Sequence, residues 1–139
     1  MQAHYIFIPL LAQFVLTFAL YLMLLRRKKR ALLNGEVNVA RRALHEDAWP
    51  DYVIQVNNSI RNQFETPVLF YVMVISLYVL NAAGTLAIVF ATLYVAARIA
   101  HVVVHTGRNA IPARRLTFTL GWCMLMALAV LLLLRVTGV

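Results

Sequence analysis

The sequence predicts an all-α integral membrane protein: a bundle of four transmembrane helices, oligomeric in assembly. Three observations lead there. Hydrophobic residues make up 63% of the chain and charged residues only 13%, whereas a soluble domain is nearer half apolar and a quarter charged. The apolar residues fall into four blocks, at about 5–25, 57–80, 85–105 and 115–135, each near the roughly 20 residues that cross a hydrocarbon core. Of the thirteen Lys and Arg residues, all but Arg135 fall at one common end of these blocks, the asymmetry that marks the cytoplasmic side.

The first block, Tyr5–Leu25, is 21 residues without a charge, followed by Arg26-Arg27-Lys28-Lys29-Arg30. A signal peptide carries its charge before the apolar part, so this block is a span whose far end the basic run holds in the cytoplasm. Residues 26–50 then form a cytoplasmic loop containing Gly35, Arg41, Arg42, His45, Glu46 and Asp47. Trp49 and Tyr52 fit interface anchoring and packing equally well. The second helix starts at Asp51, read as its N-cap. Tyr52, Val53, Val56, Ile60 and Phe64 recur at helical spacing. One long helix is expected through both this amphipathic part and the apolar part to Leu80, kinked where Pro67 removes the bond to Gln63. Asn81–Gly84 is an uncharged turn on the outer side. The third helix is Thr85–His105, and Pro112 suits the first turn of the fourth. Both termini fall on the non-cytoplasmic side of a multi-pass protein, in the inner membrane if the cell is bacterial. The single Cys123 excludes a disulfide framework or a cysteine metal site within one chain.

The chemistry gathers at the stretch Asn57–Pro67, which holds Asn57, Asn58, Arg61, Asn62 and Glu65 and opens a membrane span. Polar groups there are costly to bury and mark a functional site. Arg61 and Glu65 are four apart and can pair on one helical face, which Asn62 joins. Arg98, His101 and His105 share a face of the third helix. Counted from the turn at about 1.5 Å per residue, Glu65, Arg98 and His101 lie within about one helical turn of the same depth. Arg114 and Arg115 open the fourth helix at that level, where the helix dipole disfavours cations unless an anion is present. Arg115, Arg108 and Arg135 read as snorkelling anchors to membrane lipid. His101 and His105 lack a supporting third ligand, so no metal is expected. The basic run is explained as a membrane flank, so no nucleic-acid partner is expected.

These residues resemble a known family. Arg61-Asn62-Gln63-Phe64-Glu65 is similar to the second-helix signature of the MAPEG family, the membrane-associated proteins in eicosanoid and glutathione metabolism. Arg98 and His101, with position 105, resemble its third-helix pattern of Arg, His and Tyr. Pro112-Ala113-Arg114 with Thr117-Phe118-Thr119-Leu120 resembles the start of the fourth helix in the prostaglandin synthase branch. The resemblance implies a homotrimer with a glutathione site between subunits, open to the cytoplasm. Arg61, Asn62, Glu65, Arg98, His101 and His105 would hold glutathione, and Arg114 would stabilise its thiolate. His105 stands where the family has Tyr, and Arg115 where the prostaglandin branch has Ser, so that branch's isomerase chemistry is not carried over.

The expected function is a glutathione-dependent transferase or peroxidase acting on a lipophilic small-molecule electrophile that arrives from the bilayer. The competing reading is a non-catalytic membrane protein whose basic cluster binds anionic lipid or another anion. A transporter is the third. The charge bias makes the sidedness testable: cysteines placed at Gly35 and Asn38 should label only from the cytoplasmic side of intact cells, and labelling from outside would invert the topology.

Overall fold

The computed structural model describes residues 3–138. Its five α-helices are α1 (Phe7–Leu33), α2 (Asp51–Arg61), α3 (Thr66–Val79), α4 (Thr85–Thr106) and α5 (Ile111–Thr137), with short 3-10 turns at Ala3–Ile6, Glu46–Ala48 and Asn62–Phe64. α4 and α5 pack along each other as an antiparallel hairpin, and α1 lies against α2 and α4. The stretch 3–33, α4 and α5 are each long and apolar enough to cross a membrane. α3 has 14 residues, a rise of about 21 Å against a hydrocarbon core of about 30 Å.

α1 runs past the expected boundary at Leu25, because Arg and Lys are good helix formers and no breaker intervenes. It ends where Asn34 closes on the Arg30 carbonyl at 3.0 Å and Gly35 takes φ +69°. Asp51 is the first residue of α2, not its cap; the capping position is Pro50, in extended backbone, and no side chain caps the helix. The single kinked helix expected through Pro67 is two helices. The chain leaves α geometry at Asn62, passes Glu65 at φ −102° and ψ −104°, and restarts at Thr66 with Pro67 in the new first turn. Proline lacks an N–H and its ring crowds the carbonyl four residues back, but it is well suited to a helix start.

Two apolar cores result. One holds Phe70, Val74, Leu77, Ala87, Ala91 and Leu125, with the Phe70 and Tyr94 rings stacked 4.4 Å apart. The other lies at the basic end, with Leu20, Leu24, Val53, Val56, Ile60 and Val102. A layer of buried polar side chains, including Gln13, Ser59, Gln63, Thr66 and Arg98, belongs to neither. The outer faces are apolar and exposed, as at Phe14, Val72, Val103 and Val130, the composition of an integral membrane bundle.

The 34–50 loop folds onto the basic end. The Trp49 indole donates to Arg42 O and carries the Lys28 ammonium 4.8 Å from its ring, while the Tyr52 hydroxyl donates to Glu36. That bond, with one from Asn34, holds the Glu36 carboxyl below its usual range and raises the Tyr52 hydroxyl. Both aromatics therefore serve the loop. Arg27 ties three elements together: its guanidinium donates to Tyr52 O at 2.6 Å and to Thr106 O at 2.9 Å, the latter an orphan carbonyl at the end of α4. Arg27→Ala should lower the thermal midpoint in detergent or nanodiscs, with a loss of about 2 kcal/mol from the charged hydrogen bonds. Arg27→Lys, which cannot span both carbonyls, should recover only part.

Candidate functional site

The break before Pro67 sets the geometry. Asn62 O, in the 3-10 turn of that break, accepts from Arg98 Nη2 at 3.1 Å. Arg98 is 1% exposed. α5 passes close above it: a Cβ at Gly121 would stand in ordinary contact, 3.8 Å from Arg98 Cδ and 3.9 Å from Ala97 and Tyr94. On its other side the break is held by an amide relay, Gln13 Nε2 to Gln63 Oε1 at 2.8 Å and Gln63 Nε2 to Ser59 O at 3.1 Å. The Tyr94 hydroxyl donates to Thr66 Oγ1 at 3.2 Å. These side-chain bonds tie the interrupted segment to α1 and α4.

The turn so fixed forms one wall of an open cleft of about 450 Å³. Asn58, Arg61, Asn62 and Glu65 line that wall, His101 and His105 come from α4, and Arg114, Arg115 and Phe118 from the start of α5. Six of the seven residues read from the sequence as the site thus share one cleft. The seventh, Arg98, lies buried outside its lining and touches it through Asn62. Asn58, named only as part of the polar stretch, and Phe118, named only in the fourth-helix resemblance, also line it, and Arg115, read as an anchor, faces the cleft.

The side chains are held individually. His101 Nδ1 lies 3.1 Å from Arg114 O and 3.3 Å from Thr117 Oγ1. A carbonyl can only accept, so Nδ1 carries the proton and Nε2 is left an acceptor, buried and without a partner. Arg98 Nε is likewise buried with no partner. His105 Nδ1 lies 3.4 Å from the Asn62 amide nitrogen, and its ring stands edge-on to His101 with centroids 5.5 Å apart. Arg114 Nη1 donates to Asn109 Oδ1 at 2.9 Å, and Asn109 takes φ +52° in the connection before α5. Among the described residues no third His, Cys, Asp or Glu completes a metal-sized cluster with the two histidines.

Arg61 does not pair with Glu65. Its guanidinium bonds the Glu46 carboxylate, from the 3-10 turn in the 34–50 loop, and Asn57 Nδ2 donates to the same Oε1 at 2.9 Å. The i, i+4 geometry that would join Arg61 to Glu65 needs an unbroken α-helix, and the 3-10 turn between them turns Glu65 off that face. Glu65 is exposed in the cleft and forms no ion pair within 4 Å among the described residues. The cleft therefore sets three guanidiniums against one carboxylate, and the N-terminus of α5 adds its dipole to the positive side. Nothing in the spacing of the sequence pointed to Glu46, because a loop carries no period that fixes its partners.

A family model described as the MAPEG family matches residues 6–134 of the chain. No curated protein and no solved structure matches it.

Proposed function

From the chain's membership in the MAPEG family, we propose that this integral membrane protein is a glutathione-dependent transferase or peroxidase acting on lipophilic electrophiles. The observation that carries the reading is the convergence of Arg61, Arg114, Arg115 and Glu65 on one cleft at the basic end of the bundle. Glutathione bears two carboxylates, one ammonium and a thiol, and the cleft offers complementary groups: guanidiniums for carboxylates in paired hydrogen bonds, a carboxylate for the ammonium. Its volume lies in the range of small-molecule sites. The exposed apolar faces of the helices beside it give a lipophile access from the bilayer. A homotrimer, in which a neighbouring copy closes the open side of the cleft, completes this reading, with the site facing the cytoplasm.

Glutathione, when bound, supplies the nucleophilic sulfur. The chain's part is to bind, orient and hold charge. Arg61 and Arg115 take carboxylates, Glu65 takes the ammonium, and Asn62, fixed by Arg98 and His105, orients the backbone of the tripeptide. Arg114 is placed for the thiol: its guanidinium is held by Asn109 at the first turn of α5, where the dipole reinforces its field. A thiol near pKa 8.5 is mostly protonated at neutral pH. Lowering it by about two units makes it mostly thiolate and needs about 1.4 kcal/mol per unit. One guanidinium with a helix terminus in a partly dry site supplies that much.

The test is turnover of 1-chloro-2,4-dinitrobenzene with glutathione, together with thiolate absorbance in the ultraviolet. Arg114→Ala should lower kcat at least tenfold and weaken the thiolate signal with little change in KM for glutathione. Arg61→Ala should raise KM several-fold and leave the thiolate signal at saturation. Full turnover and an unchanged thiolate signal in Arg114→Ala would contradict the assignment. Absence of any thiol-dependent turnover, with retention of anionic lipid, would favour a non-catalytic anion-binding protein.

A further inference from the structure

The contact between Glu46 and Arg61 is not explained by the fold. Both side chains are about half exposed, and a pair in that setting contributes little to stability. Yet it joins the loop to a cleft wall on which one of the ligand's carboxylates would dock. Arg61 and Asn57 both donate to a single Glu46 oxygen. Two donors from consecutive turns of α2 converging on one carboxylate make a carboxylate subsite, and the chain already fills it with its own side chain.

The geometry points to Glu46 as a displaceable stand-in for the ligand's carboxylate, a residue that sets the affinity of the cleft for acids and releases the 34–50 loop when an acid binds. This rests on the reading of the cleft as an anionic-ligand site. The stand-in has somewhere to go. Glu46 lies on the wall of a second cavity of about 250 Å³ between the loop and α2, which Lys28, Arg42 and His45 also line. A carboxylate swung off Arg61 meets cations there, so displacement exchanges one pairing for another and leaves no charge unpaired. The turn that carries Glu46 is short, residues 46–48, anchored through buried Ala48, whose carbonyl accepts from Asn38 N at 3.0 Å. The loop is also held to the bundle by Val37 in the basic-end core, by Tyr52 on Glu36 and by Lys28 over Trp49, and of these contacts only that of Glu46 is contested by a ligand.

The consequence has a definite sign. A ligand carboxylate must compete with Glu46 for Arg61, so removing the negative charge at position 46 should strengthen acid binding. A residue that merely buttressed the site would weaken it on mutation. The gain is bounded by the strength of an exposed ion pair, about two- to fivefold in affinity.

The experiment measures glutathione and glutarate binding to the full chain in nanodiscs by calorimetry, for the wild type, Glu46→Gln, Arg61→Gln and the double variant. Trypsin cleavage at Arg41 and Arg42 is followed in parallel. Glu46→Gln should bind both acids about two- to fivefold tighter, and Arg61→Gln should erase that gain. Cleavage of the loop should be faster in Glu46→Gln than in wild type, and glutathione or glutarate should accelerate it in the wild type. Unchanged or weaker acid binding in Glu46→Gln, or cleavage that neither the substitution nor the acid alters, would overturn the assignment. Should glutarate bind with the predicted pattern and glutathione not bind at all, the thiol reading fails while the stand-in role of Glu46 holds.

Discussion

A helix that meets proline inside a bilayer must lose backbone hydrogen bonds, and the lost acceptors need donors from elsewhere in the protein. Here Pro67 denies Gln63 O its helical donor, and in the turn between Arg61 and Thr66 the buried guanidinium of Arg98 donates to the neighbouring Asn62 O. A buried cation is costly on its own and is tolerated where it is hydrogen-bonded. The arrangement works in both directions: the broken helix gives Arg98 an acceptor, and Arg98 fixes the broken helix. The position of Asn62, and through it the contact with His105, follows from this one bond.

The same break divides the residues of the turn between two surroundings. Gln63 turns inward to Gln13 and Ser59, while Asn62 and Glu65 face the cleft. Gln63 is 2% exposed and Glu65 lies open. A continuous helix would have kept Arg61 and Glu65 on one face and paired them. Broken, it leaves Glu65 without an ion pair within 4 Å among the described residues and turns Arg61 to Glu46. The electrostatic character of the site is therefore a product of backbone geometry as much as of residue type.

Much of this was legible in the sequence, for identifiable reasons. Twenty-residue apolar runs and the one-sided basic residues speak for a membrane bundle without any tertiary information. The depth count across the turn at Asn81–Gly84 brought Glu65, Arg98 and His101 together because helical rise is nearly constant. What the count could not give was rotation about the helix axis. It assumed α geometry through residues 62–65, and so it paired Arg61 with Glu65 and read Pro67 as a kink in a single helix. The loop contributed nothing to the expectation, since Glu46 reaches Arg61 by a tertiary fold of residues 34–50 that has no sequence period. Arg98 was legible by type and depth, while its place behind the cleft wall came from the burial produced by α5.

The central claim is that the Arg98 bond to the broken helix organises a cleft that binds glutathione. It is tested most directly with Arg98→Lys, which keeps the charge and loses the planar guanidinium, by measuring amide hydrogen exchange over residues 62–66 and glutathione affinity on the same nanodisc preparation. The account predicts faster exchange in that segment together with at least a tenfold weaker affinity than wild type. Faster exchange with wild-type affinity, or no glutathione binding by the wild-type protein, would contradict it.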